Sequence, residues 1–398
     1  MEVKPKIETF ARIKVMGIGG SGTTAVSRMA ELGIRGVEFI SVNTDAQALH
    51  NNQADKKVHI GKSITKGLGS GMNPELGRQA AEESQEEIEE VIANADMVFI
   101  TCGLGGGTGT GAAPIVAELA KNRDILTIAV VTKPFTFEGS KRKEIAEAGY
   151  ENLKDKVDAI ISIQNDRILQ IIDKKTSLIE AFTTVDEVLR QGIAGISDLI
   201  TTHGVVNADF ADIRTIMQDA GTAMMGIGQA SGEGRAELAA KAAVNSPLLD
   251  MTIDGAQGVL FNITGGPDLG MFEIDEAAKV ITKNVDPDAR VKFGTVIDES
   301  MGDQIRITVI ATGFDEHNRR PSSISFAPIT EDFPARAATP TAPAAPAATV
   351  AEENEPPRPE IRKPLFSPKP ADPVPMQAAA EEDEDELDIP AFIRKKMK

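Results

Sequence analysis

The 398-residue sequence predicts an α/β protein: a parallel-sheet domain first, a long helix at the centre, a smaller α+β domain after it, and a tail with no core of its own. Three observations carry this. Short apolar runs alternate with helical patterns from 13 to 163, a proline-free amphipathic stretch covers 177–202, and composition changes abruptly after Thr330. Alternation of this kind argues for parallel strands with helices on both faces.

Residues 1–11 read as an N-terminal extension without an apolar signal segment. The domain at 12–176 follows, with strands expected at 13–16, 37–42, 97–100, 126–131 and 159–163. Its Gly-rich loops fall at the carboxyl ends of strands, where open parallel sheets bind ligands. A central helix at 177–203 sets Leu178, Ile179, Phe182, Val185, Val188, Leu189, Ile193, Ile196 and Leu199 at helical spacing. In the α+β domain at 204–316, strands are expected at 224–228, 258–263 and 304–310, and helices at 236–244 and 271–284. A linker covers 317–386. Twelve of the 22 prolines lie between Phe333 and Pro375, so the segment lacks the apolar content to order itself. It closes on six consecutive acids, Glu381 to Glu386. Residues 387–398 are apolar and then basic, and read as a docking peptide on a tether or as a frayed end.

A formal net charge of −18 opposes non-specific contact with nucleic acid or anionic lipid, so any membrane role is expected to run through a partner. A single cysteine, Cys102, excludes an internal disulfide, suits a reducing cytosol and reads as a small core residue at a strand end. His50, His59, His203 and His317 form no cluster, and no metal-ligand spacing appears. No stretch approaches the roughly 18 consecutive apolar residues of a membrane span. A soluble, cytoplasmic protein without direct membrane insertion is expected.

The run Gly105-Gly106-Gly107-Thr108-Gly109-Thr110-Gly111 is the most informative feature, with five glycines in seven residues. Lacking Cβ atoms, the loop lets backbone N–H groups close around an anion, and its threonines keep hydroxyl donors at hand. A strand before it and a helix from Ala112 after it make it read as a phosphate site, the plain alternative being an ordinary Gly-rich turn. A first loop, Gly17-Ile18-Gly19-Gly20-Ser21-Gly22, matches G-x-G-x-x-G, and Asp45 stands where a dinucleotide fold places its ribose acid. A nicotinamide oxidoreductase explains these two features alone. Against it stand the second, richer glycine loop, a polar loop at 133–142, and the set Asn207, Asp209 and Asp212. The triplet Gly61-Lys62-Ser63 imitates the end of a P-loop, but Lys56 stands where the first glycine is required.

Asn207, Asp209 and Asp212 put three oxygen-bearing side chains at N-x-D-x-x-D spacing. Paired carboxylates can orient a water beside a phosphate, directly or through Mg²⁺; an Asx turn capping the helix at 213–217 accounts for the spacing equally well. A Ca²⁺ loop is longer and carries a Glu at its twelfth position, which is absent. If the central helix starts near the nucleotide, its roughly 25 residues, about 38 Å, carry these acids to the far end of the molecule. They then reach only a neighbour's phosphates, in a head-to-tail contact that generates a filament.

With these residues in view, the chain resembles the FtsZ family of bacterial tubulin-like cell-division GTPases over about 12–315 and again at 387–396. The resemblance rests on 105–111, 42–49, 69–74, 207–212 and 388–394, five separated places. It implies a tubulin-like fold with a Rossmann-like GTPase domain, GTP/GDP as ligand with Mg²⁺ but no dedicated all-protein metal site, and head-to-tail self-assembly. Gly19, Gly20, Ser21, Gly22, Thr23 and Thr24, with Gly103, Gly105, Gly106, Gly107, Thr108 and Gly109, are implied at the phosphates, alongside Asn43 and Gly71. Glu138 and Arg142 are implied at the ribose and phosphate region, and Asn165, Phe182 and Asp186 at the base. An Asp186 carboxylate can accept from both N1–H and the 2-amino group of guanine, a donor pair adenine lacks. Phe182 reads as a ring stacked on the base or as plain core. Asn207, Asp209 and Asp212 are implied to act in trans. The first loop departs from the family's Gly-Gly-Gly-Gly-x-Asn-Ala, with Thr24 in place of the amide. The tail, from Asp388 to Arg394, is implied to bind membrane tethers and regulators of FtsA-like type, recruiting filaments to the midcell division site.

Overall fold

The computed structural model describes residues 11–314 apart from 174, 203–205, 207, 250–251 and 284. The sequence-predicted linker and terminal peptide, 317–398, lie outside the described residues. In chain order the first part comprises β1 (Ile13–Ile18), α1 (Gly19–Leu32), β2 (Val37–Asn43), α2 (Ala46–His50), β3 (Lys56–His59), α3 (Lys62–Thr65), α4 (Pro74–Glu83) and α5 (Gln85–Ile92). It continues through β4 (Met97–Gly103), α6 (Thr108–Lys121), β5 (Leu126–Lys133), α7 (Ser140–Lys154), β6 (Ala159–Gln164) and α8 (Asn165–Ile168). Then come α9 (Leu178–Thr201), α10 (Phe210–Met217), β7 (Gly221–Ser231), α11 (Arg235–Val244), β8 (Gly258–Gly265), α12 (Met271–Thr282), β9 (Arg290–Ile297) and β10 (Gln304–Thr312).

The strand order is β3-β2-β1-β4-β5-β6-β7-β10-β8-β9, and the first six are parallel throughout. Apolar side chains on both faces of β1 and β4 are buried, which is why these strands read as continuous apolar runs. One face packs on α1 and α9 through Val15, Phe99, Val188 and Ile193; the other packs on α4, α5 and α6 through Met16, Ile100, Ala113 and Val116. A third core, around Phe261, Ile263 and Ile307, lies between the second set of strands and α11 and α12.

The second domain does not start a separate sheet. Gly221, Thr222 and Ala223 of β7 pair parallel with β6, while Met224 to Ser231 pair antiparallel with β10. One strand therefore belongs to both halves. β3 was not evident in the sequence: it is four residues long, two of them exposed lysines.

α9 starts on a capping box. Ser177 Oγ accepts from Glu180 N (3.2 Å), and Ser177 N donates to Glu180 Oε2 (2.8 Å). Its 24 residues make it about 36 Å long. Two glycines let it lie close to the strands: a Cβ on Gly192 would stand 2.7 Å from Met225 Sδ, and one on Gly195 2.9 Å from Thr308 Cγ2.

Candidate nucleotide-binding site

β1 and β4 are neighbours, and strand order reverses between them, so the crevice beyond their carboxyl ends is the switch point where such sheets bind ligands. β1 runs directly into α1 at Gly19; β4 passes through Leu104 to Gly107 before α6 begins at Thr108. The first-turn N–H groups of a helix have no intrahelical partner, so two positive helix ends converge here. They touch: a Cβ on Gly19 (φ +74°) would stand 2.6 Å from Gly109 N.

The glycines divide into two kinds. Around Gly20 nothing lies within 4 Å of a built Cβ, and at Gly106 only one carbonyl at 3.9 Å, so these two face open space. Gly22, Gly107 and Gly111 are packing positions, with a Cβ meeting Thr101 O at 2.4 Å, Ser70 Oγ at 2.4 Å and Pro74 O at 1.9 Å. Two of the five glycines in 105–111, Gly107 and Gly111, thus serve the close seat of α4 against α6 rather than the approach of an anion. The helix also starts at Thr108, four residues before the expected Ala112. The hydroxyls are engaged too. Thr108 Oγ1 bonds Thr44 Oγ1 (2.6 Å) and Ser70 Oγ (2.8 Å), and Gly105 N donates to Thr110 Oγ1 (2.9 Å). Thr23 Oγ1 donates to the carbonyls of Gly19 and Gly20. At these positions any anion contact falls to free backbone N–H groups.

A cavity of about 290 Å³ opens between the two loops, and Gly20, Ser21, Thr24, Gly103, Glu138, Arg142, Asn165, Phe182 and Asp186 all line it. Gly19, Gly22, Thr23, Asn43, Gly71, Gly105, Gly106, Gly107, Thr108 and Gly109 do not line it; Gly71 sits at φ +55° with no neighbour within 4 Å of a built Cβ. Thr24 Oγ1 donates to Gly20 O at 2.9 Å, so its hydroxyl is turned back on its own helix. Two buried polar atoms of cavity-lining residues have no hydrogen-bond partner, Asn165 Oδ1 and Arg142 Nε, and Asn43 Nδ2, at the carboxyl end of β2, has none either. Buried groups without partners are rare, and the two in the cavity lining are what a polar ligand there would satisfy. Glu138 Oε2 holds Arg142 Nη1 at 2.9 Å, while Glu138 Oε1 accepts from Phe135 N at 2.8 Å.

Phe182 is not core. It is 39% exposed and meets Phe135 edge-on, with ring centroids 5.6 Å apart, leaving a face toward the cavity rim. Asp186, one turn further along α9, is ion-paired with Arg28. Burial pushes its carboxyl up to about 6, although the Arg28 guanidinium pulls it down. Arg28 lines the cavity and was missed in the sequence. Its signal was there: Gly20, Thr24 and Arg28 recur every four residues on one face of α1.

A larger cavity of about 560 Å³ lies near Thr215, Gln257 and Arg290, but it holds no glycine loop and no unpartnered buried side-chain atom. Volume alone does not locate the site. Asp45, the ribose-acid position of the oxidoreductase reading, is instead the cap of α2, with Oδ1 accepting from Ala48 N at 3.0 Å. Cys102 is fully buried and burial pushes its thiol up to about 12, so it is an inert core residue. Among the described residues no group of three or more His, Cys, Asp and Glu could hold a metal ion, and no helix is long and apolar enough to cross a membrane.

The acids are elsewhere. Asp209 is the N-cap residue of α10, yet its side chain makes no capping bond. Asp212 Oδ2 pairs with Lys292 Nζ at 2.9 Å. The capping role that the spacing allowed is therefore not taken by either carboxylate. Asn207 lies outside the described residues. α10 is tied to the amino-terminal end of β5, where Arg214 Nη2 donates to Asp124 Oδ1 (2.9 Å), whereas Thr132 and Pro134 at the carboxyl end of β5 line the cavity. The eight residues of β5, about 26 Å, separate the two.

Fold and site together define a protein of the α/β nucleotide-binding class, with two helix amino-termini converging on one crevice. Residues 12–173 match the GTPase domain of the tubulin/FtsZ family, and residues 221–315 the C-terminal domain of the FtsZ family. An empty FtsZ dimer from M. jannaschii is 46% identical, with a TM-score of 0.74 over 77% of this chain and 89% of that one. CetZ1 from Haloferax volcanii, a GDP-bound monomer, shares the fold at 22% identity, with a TM-score of 0.67 over 77% of this chain and 95% of that one. The chain belongs to the FtsZ family.

Proposed function

We propose that this chain binds GTP at the two-loop cavity, assembles head to tail, and hydrolyses GTP only at the junction between subunits. The observation that carries this reading is the separation of the acid loop from the cavity by the full length of β5. An acid loop on the opposite edge of the domain cannot serve its own nucleotide, but stacking brings it to the next one.

In this reading the N–H groups of the first turns of α1 and α6 hold the phosphates, with Gly20 and Gly106 giving open approach. Arg142 meets the phosphate and ribose region while Glu138 orients it. Phe182 stacks on the base, Asp186 accepts from the guanine edge, and the unpartnered Asn165 Oδ1 and Asn43 Nδ2 gain partners. Asp209 and Asp212 of the adjoining subunit, with Asn207, orient the attacking water and accept its proton. Mg²⁺ would ride on the phosphates, neutralising charge there, since such ions need few protein ligands. Loss of the terminal phosphate weakens the junction and gives turnover. The tail, through Ile389, Phe392 and Ile393 with the following basic residues, docks onto FtsA-like membrane tethers. A linker of about 70 residues behaving as coil spans on the order of 45 Å, and many weak copies along a filament act by avidity.

The test is phosphate release per subunit against protein concentration, with pelleting in GTP and in GDP followed in the same tube. Junction catalysis requires a threshold concentration. A constant specific rate in dilute protein contradicts the reading.

A further inference from the structure

The two acids of the loop differ in their surroundings. Asp209 has no side-chain partner among the described residues, whereas Asp212 Oδ2 stands 2.9 Å from Lys292 Nζ. Lys292 belongs to β9, the edge strand of the sheet. Arg290, two residues earlier and so on the same face of the strand, directs Nη1 to Thr215 O at 3.5 Å, in the later half of α10. Arg214, on α10 itself, bonds Asp124 Oδ1 at 2.9 Å and its carbonyl at 3.1 Å. α10 is thus held by both domains, and of these three cations Lys292 alone meets an acid of the loop.

Both partners are partly exposed, with side-chain accessibilities of 46% for Lys292 and 37% for Asp212. A pair this wet adds little to stability. What it changes is the rotamer in which the carboxylate waits and the charge the loop presents. Two carboxylates facing a triphosphate repel it; an ammonium beside one of them removes half of that charge.

We infer that Lys292 is a positioning residue for hydrolysis: it holds the Asp212 carboxylate at the subunit junction and offsets its charge as the neighbour's triphosphate approaches. This rests on the role proposed above for Asp212. A lysine on an edge strand has a blander use, keeping another strand from pairing there, and the experiment separates the two.

The full chain is assayed for turnover per pelleted subunit, well above the assembly threshold, as Lys292→Met, Lys292→Arg, Asp212→Asn and the double variant Lys292→Met/Asp212→Asn. Lys292→Met keeps the stem and removes the charge. It is expected to lower turnover roughly tenfold, as a displaced reacting group does, while GTP affinity of the dilute protein and the pelleted fraction stay at the parent level. Lys292→Arg retains most activity, and the double variant is no slower than Asp212→Asn alone. Parent-like turnover in Lys292→Met overturns the inference and leaves the edge-strand use. Loss of pelleting or of GTP binding in Lys292→Met also overturns it, since Lys292 then acts in assembly or folding. Parent-like turnover in Asp212→Asn is a different failure, that of the acid-loop reading itself.

Discussion

Arg28 on α1 and Asp186 on α9 form an ion pair at the wall of the cavity, joining two residues that lie 158 positions apart in the chain. One helix grows from the first glycine loop and the other leads toward the acid loop. The pair therefore joins α1 to α9 at the cavity wall.

Burial raises the Asp186 carboxyl to about 6 in the free protein, against the pull of Arg28. Guanine's two donors favour the carboxylate, so binding must release the proton wherever Asp186 holds one. GTP affinity is expected to be full above about pH 6 and to fall as pH drops below it, by up to about tenfold per pH unit. Titration calorimetry at several pH values measures this. Asp186→Asn should bind weakly and lose the slope; a parental slope in that variant contradicts the assignment. Asp198, which burial also raises to about 6, is unchanged in that variant and serves as the internal control.

Gly20 and Gly107 should respond differently to substitution. Gly20→Asp meets no steric obstacle, and it places a negative charge where the proposed site holds phosphates. GTP binding should weaken roughly tenfold or more with the melting temperature unchanged. Gly107→Ser puts a Cβ 2.4 Å from Ser70 Oγ and 2.8 Å from Asn73 N, so it should cost about 1–3 kcal/mol of stability. Denaturant unfolding with nucleotide titration separates the two, and equal melting temperatures would refute the division of glycines.

Asp212→Asn should keep GTP affinity within about twofold and lose most hydrolysis, roughly a hundredfold or more. Mixed with Gly20→Asp, which binds poorly but keeps its acids, it should regain part of the turnover, because some junctions pair an intact acid loop with an occupied site. Mixtures no more active than the sum of their parts would contradict action in trans.

Gly111→Ala is expected to destabilise the domain by about 3 kcal/mol, since the added methyl would lie 1.9 Å from Pro74 O where α4 and α6 meet. Thermal unfolding reads this directly, and an unchanged transition would mean that the two helices can separate at no cost.

Removal of 387–398 should leave GTP-dependent pelleting intact and abolish recruitment to vesicles carrying an FtsA-like tether. Loss of pelleting would show that the terminal peptide is part of the assembling body.

Most strands of the first domain, the two glycine loops and the central helix were legible in the sequence because each is written in local pattern: apolar runs, glycine at strand ends, and helical spacing opened by Ser177 and Glu180; the order of the strands across the sheet was not. β3 was not, because four residues with two exposed lysines carry no apolar pattern. The start of α6 was read late because its first turn, Thr108 to Gly111, is made of residues that discourage helices, and packing against α4 overrides that preference.

The sequence by itself determined the family, the glycine loops and the list of acids. Only the tertiary structure decided which glycines face open space and which seat one helix on another. It alone set Arg28 against Asp186 and Lys292 against Asp212, and it put the acids and the cavity at opposite ends of β5. The reason is physical: local pattern follows from each residue's own preferences over a turn or two, whereas these contacts join distant segments, and their partners are chosen by how the sheet and helices pack.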